Sequence, residues 1–199
     1  MPRIIRKYRE EVKKKIVREA FSLFVEKGYH ATTMTEIARC LNVTKPALYQ
    51  YFSSKEDLFA AVATQVREEF RGTLEQSFSG RDLRDGSAAL FDALLRYVPQ
   101  FTSIYSEMLL LANRNERLRE ILMQDRTEDL WVIERFIRRQ QQAGLIPREL
   151  DSHTLALACD ALANGLLSDV RMGMDANEAK AVWVTAVARL AARSEENAD

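Results

Sequence analysis

Apolar residues recur at three- and four-residue spacing along most of this chain, the period of helices that bury one face. From Val12, the positions Ile16, Ala20, Phe21, Leu23 and Phe24 share a stripe, and Gly28 is placed to end that helix in a left-handed conformation. Met34, Ile37, Ala38 and Leu41 form a second stripe on barely two turns; Asn42 and Val43 break the period, and Ala47 to Tyr51 carry a third short helix. Leu58, Phe59, Val62, Val66 and Phe70 predict a longer helix, which the glycines and serines between Gly72 and Ser87 weaken, so that 72–86 reads as a helix end and loop. Leu90, Phe91, Leu94, Leu95 and Val98 follow, with Pro99 as a break. Phe101, Ile104, Tyr105, Met108, Leu109 and Leu111 then surround a helix apolar almost all round, which predicts burial at the centre of its domain. Residues 115–143 read as one long helix ended by Gly144 and Pro147, with Leu118, Ile121, Leu122, Leu130, Ile133 and Ile137 inward. Two final helices carry Leu155, Ala158, Cys159, Leu162, Leu166 and Val170, then Val182, Trp183, Ala186, Val187 and Leu190. The fold class is all-α.

Capping residues sharpen the boundaries. Thr33 with Glu36, Ser54 with Asp57 and Asp175 with Glu178 fit the capping pattern, and Asp151 or Ser152 caps the penultimate helix. Thr44 is a good N-cap whose helix holds Lys45 and Pro46 in its first turn, where proline's missing N–H does no harm. The two short helices over 33–51 are therefore joined by a tight turn, the helix-turn-helix arrangement whose second helix enters the DNA major groove. Thr44, Lys45, Tyr49, Gln50 and Tyr51 can reach base edges or phosphates, while Leu48 and Phe52 hold the helix to its own core. Lys55 would stand at the next helix N-terminus, where an anion such as phosphate is favoured.

Residues 16–62 closely resemble the DNA-binding domain of the TetR family of transcriptional repressors. The likeness rests on Phe24, Gly28 and Tyr29 ahead of the turn, on Thr33, Ile37 and Ala38, and on Val43, Leu48, Tyr49, Tyr51, Phe52, Lys55 and Leu58. The family usually has glycine or another small residue where this chain has Pro46. The resemblance implies an N-terminal three-helix DNA-binding domain with a basic arm over 1–58, a helical effector-binding and dimerisation domain over 59–193, and a disordered acidic tail over 194–199. It implies contacts to double-stranded DNA from Thr33, Thr35, Thr44, Lys45, Pro46, Tyr49, Gln50, Tyr51 and Lys55. The last two helices would pair a homodimer through Leu155, Cys159, Leu162, Leu166, Val182, Ala186 and Leu190, matching a palindromic operator. Their apolar surface alone leaves open whether a second copy or the domain's own core covers it. Finally, a small-molecule effector would enter the second domain and release DNA. Phe91, Tyr97, Phe101, Tyr105, Met108 and Trp131, with Phe136, are the candidates to line an apolar pocket, though such residues are more often ordinary core.

Composition adds limits. At 199 residues with 47% hydrophobic content the chain has ample material for a core. The formal net charge is zero, but residues 1–57 hold 12 Lys+Arg against 7 Asp+Glu while the remainder holds 17 against 22. Every lysine except Lys180 lies within the first 55 residues. The surplus thus sits on the helix-turn-helix, and Arg3, Arg6, Lys7 and Arg9 could form an arm on the phosphates or in the minor groove. No targeting segment and no apolar run of about 18 residues is present, so a soluble cytoplasmic protein without membrane contact is expected. Cys40 and Cys159 lie far apart in helical patterns and form neither a disulfide framework nor a metal site; no cofactor is expected. Glu107, alone in an apolar run, needs a partner: a ligand, an ion pair or an exposed edge. His30 and His153 belong to no acid/base or nucleophile set, and no phosphate loop or metal motif occurs, which argues against an enzyme. The remaining alternative is a non-specific architectural DNA binder.

Overall fold

The structure, a computed structural model, describes the backbone of residues 3–192 and the side chains of residues 7–96, 104 and 106–192. It is built of α1 (Arg3–Lys27), α2 (Met34–Cys40), α3 (Lys45–Tyr49), α4 (Lys55–Phe78), α5 (Leu83–Ala112), α6 (Glu116–Gln142), α7 (Ser152–Arg171) and α8 (Ala176–Leu190). No strand occurs among the described residues. The expected tail at 194–199 and the side chains of Arg3 and Arg6 lie outside them.

The helices start where the caps predict. Thr33 Oγ1 accepts from Glu36 N at 3.2 Å, Thr44 Oγ1 from Ala47 N at 3.3 Å and Ser54 Oγ from Asp57 N at 3.0 Å. Asp151, rather than Ser152, caps α7 by accepting from Thr154 N at 2.7 Å, and Asp175 accepts from Glu178 N at 3.0 Å at the start of α8. Each cap satisfies an amide that a helix's first turn leaves without a partner.

The chain divides into two compact units, one made of residues 1–68 and 100–125, the other of 69–99 and 126–199. Helices α4, α5 and α6 each contribute a portion to both. In the first unit Ile16, Ala20 and Phe24 of α1, Ile37 and Ala38 of α2, Leu48 of α3 and Leu58, Phe59 and Val62 of α4 form one core with Ile104 and Met108 of α5 and Leu118 of α6. The reading head expected at 1–58 is thus closed by helices from beyond it. Helices of 7 and 5 residues bury too little apolar surface to make a core with α1 alone.

In the second unit Phe91 stacks on Trp183 with centroids 5.9 Å apart, and the indole Nε1 donates to Ser87 O at 2.8 Å. Phe78 lies against Phe136 at 4.8 Å, and it covers Gly86 so closely that a Cβ there would be 2.2 Å from the Phe78 ring. Lys180 of α8 reaches Asp92 of α5 at 2.6 Å, and Arg126 of α6 reaches Asp160 of α7 at 2.8 Å.

Three expectations are corrected. Helix α4 continues through Gly72 to Phe78, leaving only 79–82 between helices; a single glycine costs a helix about 1 kcal/mol, less than the burial of Leu74 at its far end returns. Pro99 does not break α5, which runs 30 residues through it, because proline removes one rung of the i to i−4 ladder and leaves the rest. The segment 101–111 is not buried all round: Ile104, Met108 and Ala112 line a buried stripe, whereas Leu109 and Leu110 are 49% and 73% exposed.

Candidate nucleic-acid interface

The α2–α3 turn is shaped by backbone bonds. Val43 N donates to Ala38 O at 2.9 Å and Asn42 N to Arg39 O at 3.0 Å, with Asn42 in the left-handed region at φ 56°. Asparagine tolerates that conformation better than most residues with a Cβ, so the turn closes without glycine. Helix α3 then has a single buried side chain, Leu48, and presents the rest outward. Thr44, Lys45, Pro46, Tyr49 and Gln50 are all exposed, as are Thr33 and Thr35 on α2's leading edge. The hydroxyls of Thr33 and Thr44, which accept from backbone amides as caps, keep a proton to donate outward. The Lys45 ammonium lies 5.9 Å from the Tyr49 ring centre. A polar, exposed helix is thereby seated on one buried leucine and one capping threonine.

The flanks of α3 are tied to α1. The Arg9 guanidinium sits 5.7 Å from the half-buried Tyr51 ring and donates to Gln50 O at 3.2 Å. Arg9, expected in the arm, therefore also braces the end of the reading helix. Lys27 pairs with Glu36, joining α1 to α2. That pairing, with help from the Thr33 backbone N–H, holds the Glu36 carboxyl below the usual carboxylate range.

Lys55, expected at a phosphate, turns its ammonium to the loop that follows α1. Its Nζ donates to Tyr29 O and Thr32 O, both at 2.9 Å, with His30 O at 3.4 Å, and lies 4.2 Å from the centre of the Tyr29 ring. An ammonium has three protons, and these carbonyls face all of them. Partial burial draws its pKa below the ordinary lysine value, opposed by Glu56 and Glu107. Thr32, fully buried, shares its one hydroxyl proton between Gly28 O at 2.8 Å and Leu23 O at 3.2 Å. Tyr29 packs between Phe24 and Phe59, with centroids at 5.3 and 5.6 Å. Burial, and the Glu56 carboxylate beside it, push its phenol well above the ordinary tyrosine range. Glu107 accepts from the backbone of this same loop, which supplies the partner its carboxylate needs. Its one sequence signal was a lone carboxylate in an apolar run.

Phe91 belongs to the core of the second unit and Met108 to that of the first, Phe136 packs on Phe78, and Trp131 is 57% exposed beneath Arg135. The side chains of Tyr97, Phe101 and Tyr105 lie outside the described residues. Of the candidate dimer residues, Leu155 and Leu166 are covered by their own chain, Cys159, Leu162 and Ala186 are half-buried, and Val182 and Leu190 are exposed. No cluster suited to a metal ion occurs among the described residues, and none of their helices is long and apolar enough to cross a membrane.

An exposed, capped second helix after a tight turn, on a basic three-helix head, defines a helix-turn-helix DNA-binding protein. Residues 16–62 match the family model described as bacterial regulatory proteins, tetR family. The transcriptional activator FasR of Mycolicibacterium smegmatis is 38% identical over 92 residues, which cover 42% of this chain and 41% of FasR. The transcriptional repressor DhaR of a Mycobacterium species is 27% identical over 161 residues, 80% of this chain and 79% of DhaR. A TetR-family transcriptional regulator from Rhodococcus sp. shares the fold with a TM-score of 0.77 at 19% identity, over 92% of this chain and all of that one. Residues 16–62 are thus a DNA-binding domain of the tetR type, and the relatives that share it are transcriptional regulators.

Proposed function

We propose that this chain is a TetR-family transcriptional regulator, a repressor that binds a palindromic operator as a homodimer, with α3 in the major groove, and that a small apolar effector held by the second unit releases it. The carrying observation is the outward face of α3, where Thr44, Lys45, Tyr49 and Gln50 are free of the core while Leu48 anchors the helix. Thr33, Thr35, Pro46 and Tyr51 flank that surface.

The homodimer reading is supported by the outer faces of α7 and α8. Leu157, Ala161 and Gly165 on one helix and Ala181, Val182 and Thr185 on the other are exposed, and small residues let a partner's helices approach closely. The partner would thus meet Leu157 and Val182 rather than Leu155 and Leu166. Repression follows the likeness to DhaR over four-fifths of the chain; the likeness to the activator FasR, confined to 92 residues, favours activation as the second reading.

The test is selection of bound sequences from random duplex DNA at physiological salt, followed by a promoter-reporter assay on the enriched site. Enrichment of one palindrome with reporter output lowered by the protein is the expected result. Raised output would give the activator, and binding that fades with salt without enrichment would give the architectural protein.

A further inference from the structure

We infer that Glu107 is a positioning residue for DNA reading, gripping the loop between α1 and α2 from α5 and so fixing how α2 and α3 leave α1. The inference rests on the DNA-binding reading above. The Glu107 carboxylate accepts from Tyr29 N at 2.8 Å through Oε2 and from His30 N at 2.6 Å through Oε1. Two adjacent backbone amides converging on one carboxylate form a charge-assisted pair that defines both the distance and the orientation of the loop. Gly28 makes the approach possible: its φ is +84°, and a Cβ there would lie 2.8 Å from Glu107 Oε2. The opposite polarity of the same loop is held by Lys55, which takes the carbonyls of Tyr29 and Thr32. The loop's amides are thus held from α5 and its carbonyls from the start of α4. Three residues after Tyr29 the chain reaches Thr32, whose hydroxyl locks back onto Gly28 O and Leu23 O, and Thr33 then caps α2. No slack separates the carboxylate's grip from the first turn of the helix-turn-helix. Glu107 and the loop it grips lie within the same compact unit.

The experiment compares the full-length wild type with Glu107→Ala and the near-isosteric Glu107→Gln, which keeps one acceptor oxygen. It measures affinity for the selected operator and for random duplex, amide exchange at Tyr29 and His30, and thermal unfolding. Glu107→Ala is expected to lose at least ten-fold in operator affinity, with random-duplex affinity within two-fold and the two amides exchanging faster. Glu107→Gln should fall between it and wild type, and it carries the test should Glu107→Ala not fold. A lower melting temperature with operator affinity and the specific-to-random ratio unchanged would make Glu107 structural only and overturn the inference, as would protected amides in either variant. If the wild type itself prefers no sequence, the DNA-binding reading fails separately, and the exchange measurement still decides whether the grip exists.

Discussion

Leu48→Ala isolates what seats the reading helix. Helix α3 has five residues, and Leu48, fully buried, is its one buried side chain. A helix this short has no stability of its own, since closing its first turn already opposes formation. Its position therefore depends on the Leu48 contact and on the Thr44 cap, the latter contributing about 1 kcal/mol. Truncating a buried leucine to alanine costs about 2–5 kcal/mol, and the upper half of that range is expected here because α3 offers no second buried residue to share the load. Tyr49, the next residue, is 43% exposed, so Tyr49→Ala should change stability by no more than about 0.5 kcal/mol. Urea unfolding followed by circular dichroism reads the stability, and titration of the selected operator reads the binding. Leu48→Ala should lose both, whereas Tyr49→Ala should lose operator affinity alone. A Leu48→Ala variant within about 1 kcal/mol of wild type, binding operator normally, would refute the idea that this leucine seats the helix.

Gln50→Ala should relax preference at one operator position by about 1–3 kcal/mol, read by repeating the sequence selection; an unchanged profile would assign Gln50 to the backbone. Val182→Glu, on the exposed face of α8, should give a folded monomer in sedimentation, while Leu155→Glu, inside the core, should unfold the second unit. Burial pushes the Cys159 thiol up to about 11. The unfolded chain ionises this thiol near about pH 8.5, so stability is complete below that value and falls by about 1.4 kcal/mol per unit as pH rises towards the folded pKa. Cys159→Ala should flatten that alkaline decline in urea midpoints, and at neutral pH a thiol reagent should modify exposed Cys40 first.

Helix positions and their caps were legible in the sequence because both depend on neighbours within a few residues. The threonine at 33, the threonine at 44 and the aspartate at 175 each act on an amide two or three positions away. The outward surface of α3 was legible for the same reason. What spacing does not carry is which long-range partner a side chain finds. Lys55 looked like a phosphate ligand because it opens a helix, yet its ammonium meets carbonyls 23 to 26 positions back. Glu107 is joined to amides 77 and 78 positions away, a pairing that no local pattern encodes. The outcome at Leu155 and Leu166 has the same origin: a helix with apolar residues on more than one side does not say which side its own chain covers.

These long-range pairings alter the electrostatics expected of the head. Residues 1–57 carry 12 lysines and arginines, but counting them would overstate the phosphates they neutralise. Lys27 is paired with Glu36, Arg9 is drawn to Gln50 O and the Tyr51 ring, and Lys55 is enclosed by loop carbonyls. Lys45 is exposed on the reading helix. Each phosphate neutralised steepens the fall of log affinity with log salt by about 0.9, so the slope reports contacts and the intercept reports everything else. Lys45→Ala should make the slope shallower by about that unit. Lys55→Met should weaken binding, because the loop carbonyls lose their donor and α2 loses its seat, yet leave the slope in place. Equal loss of slope in the two variants would mean that Lys55 leaves Tyr29 and Thr32 for a phosphate when DNA binds, and the loop would then have to be held in the complex by Glu107 and Thr32 alone.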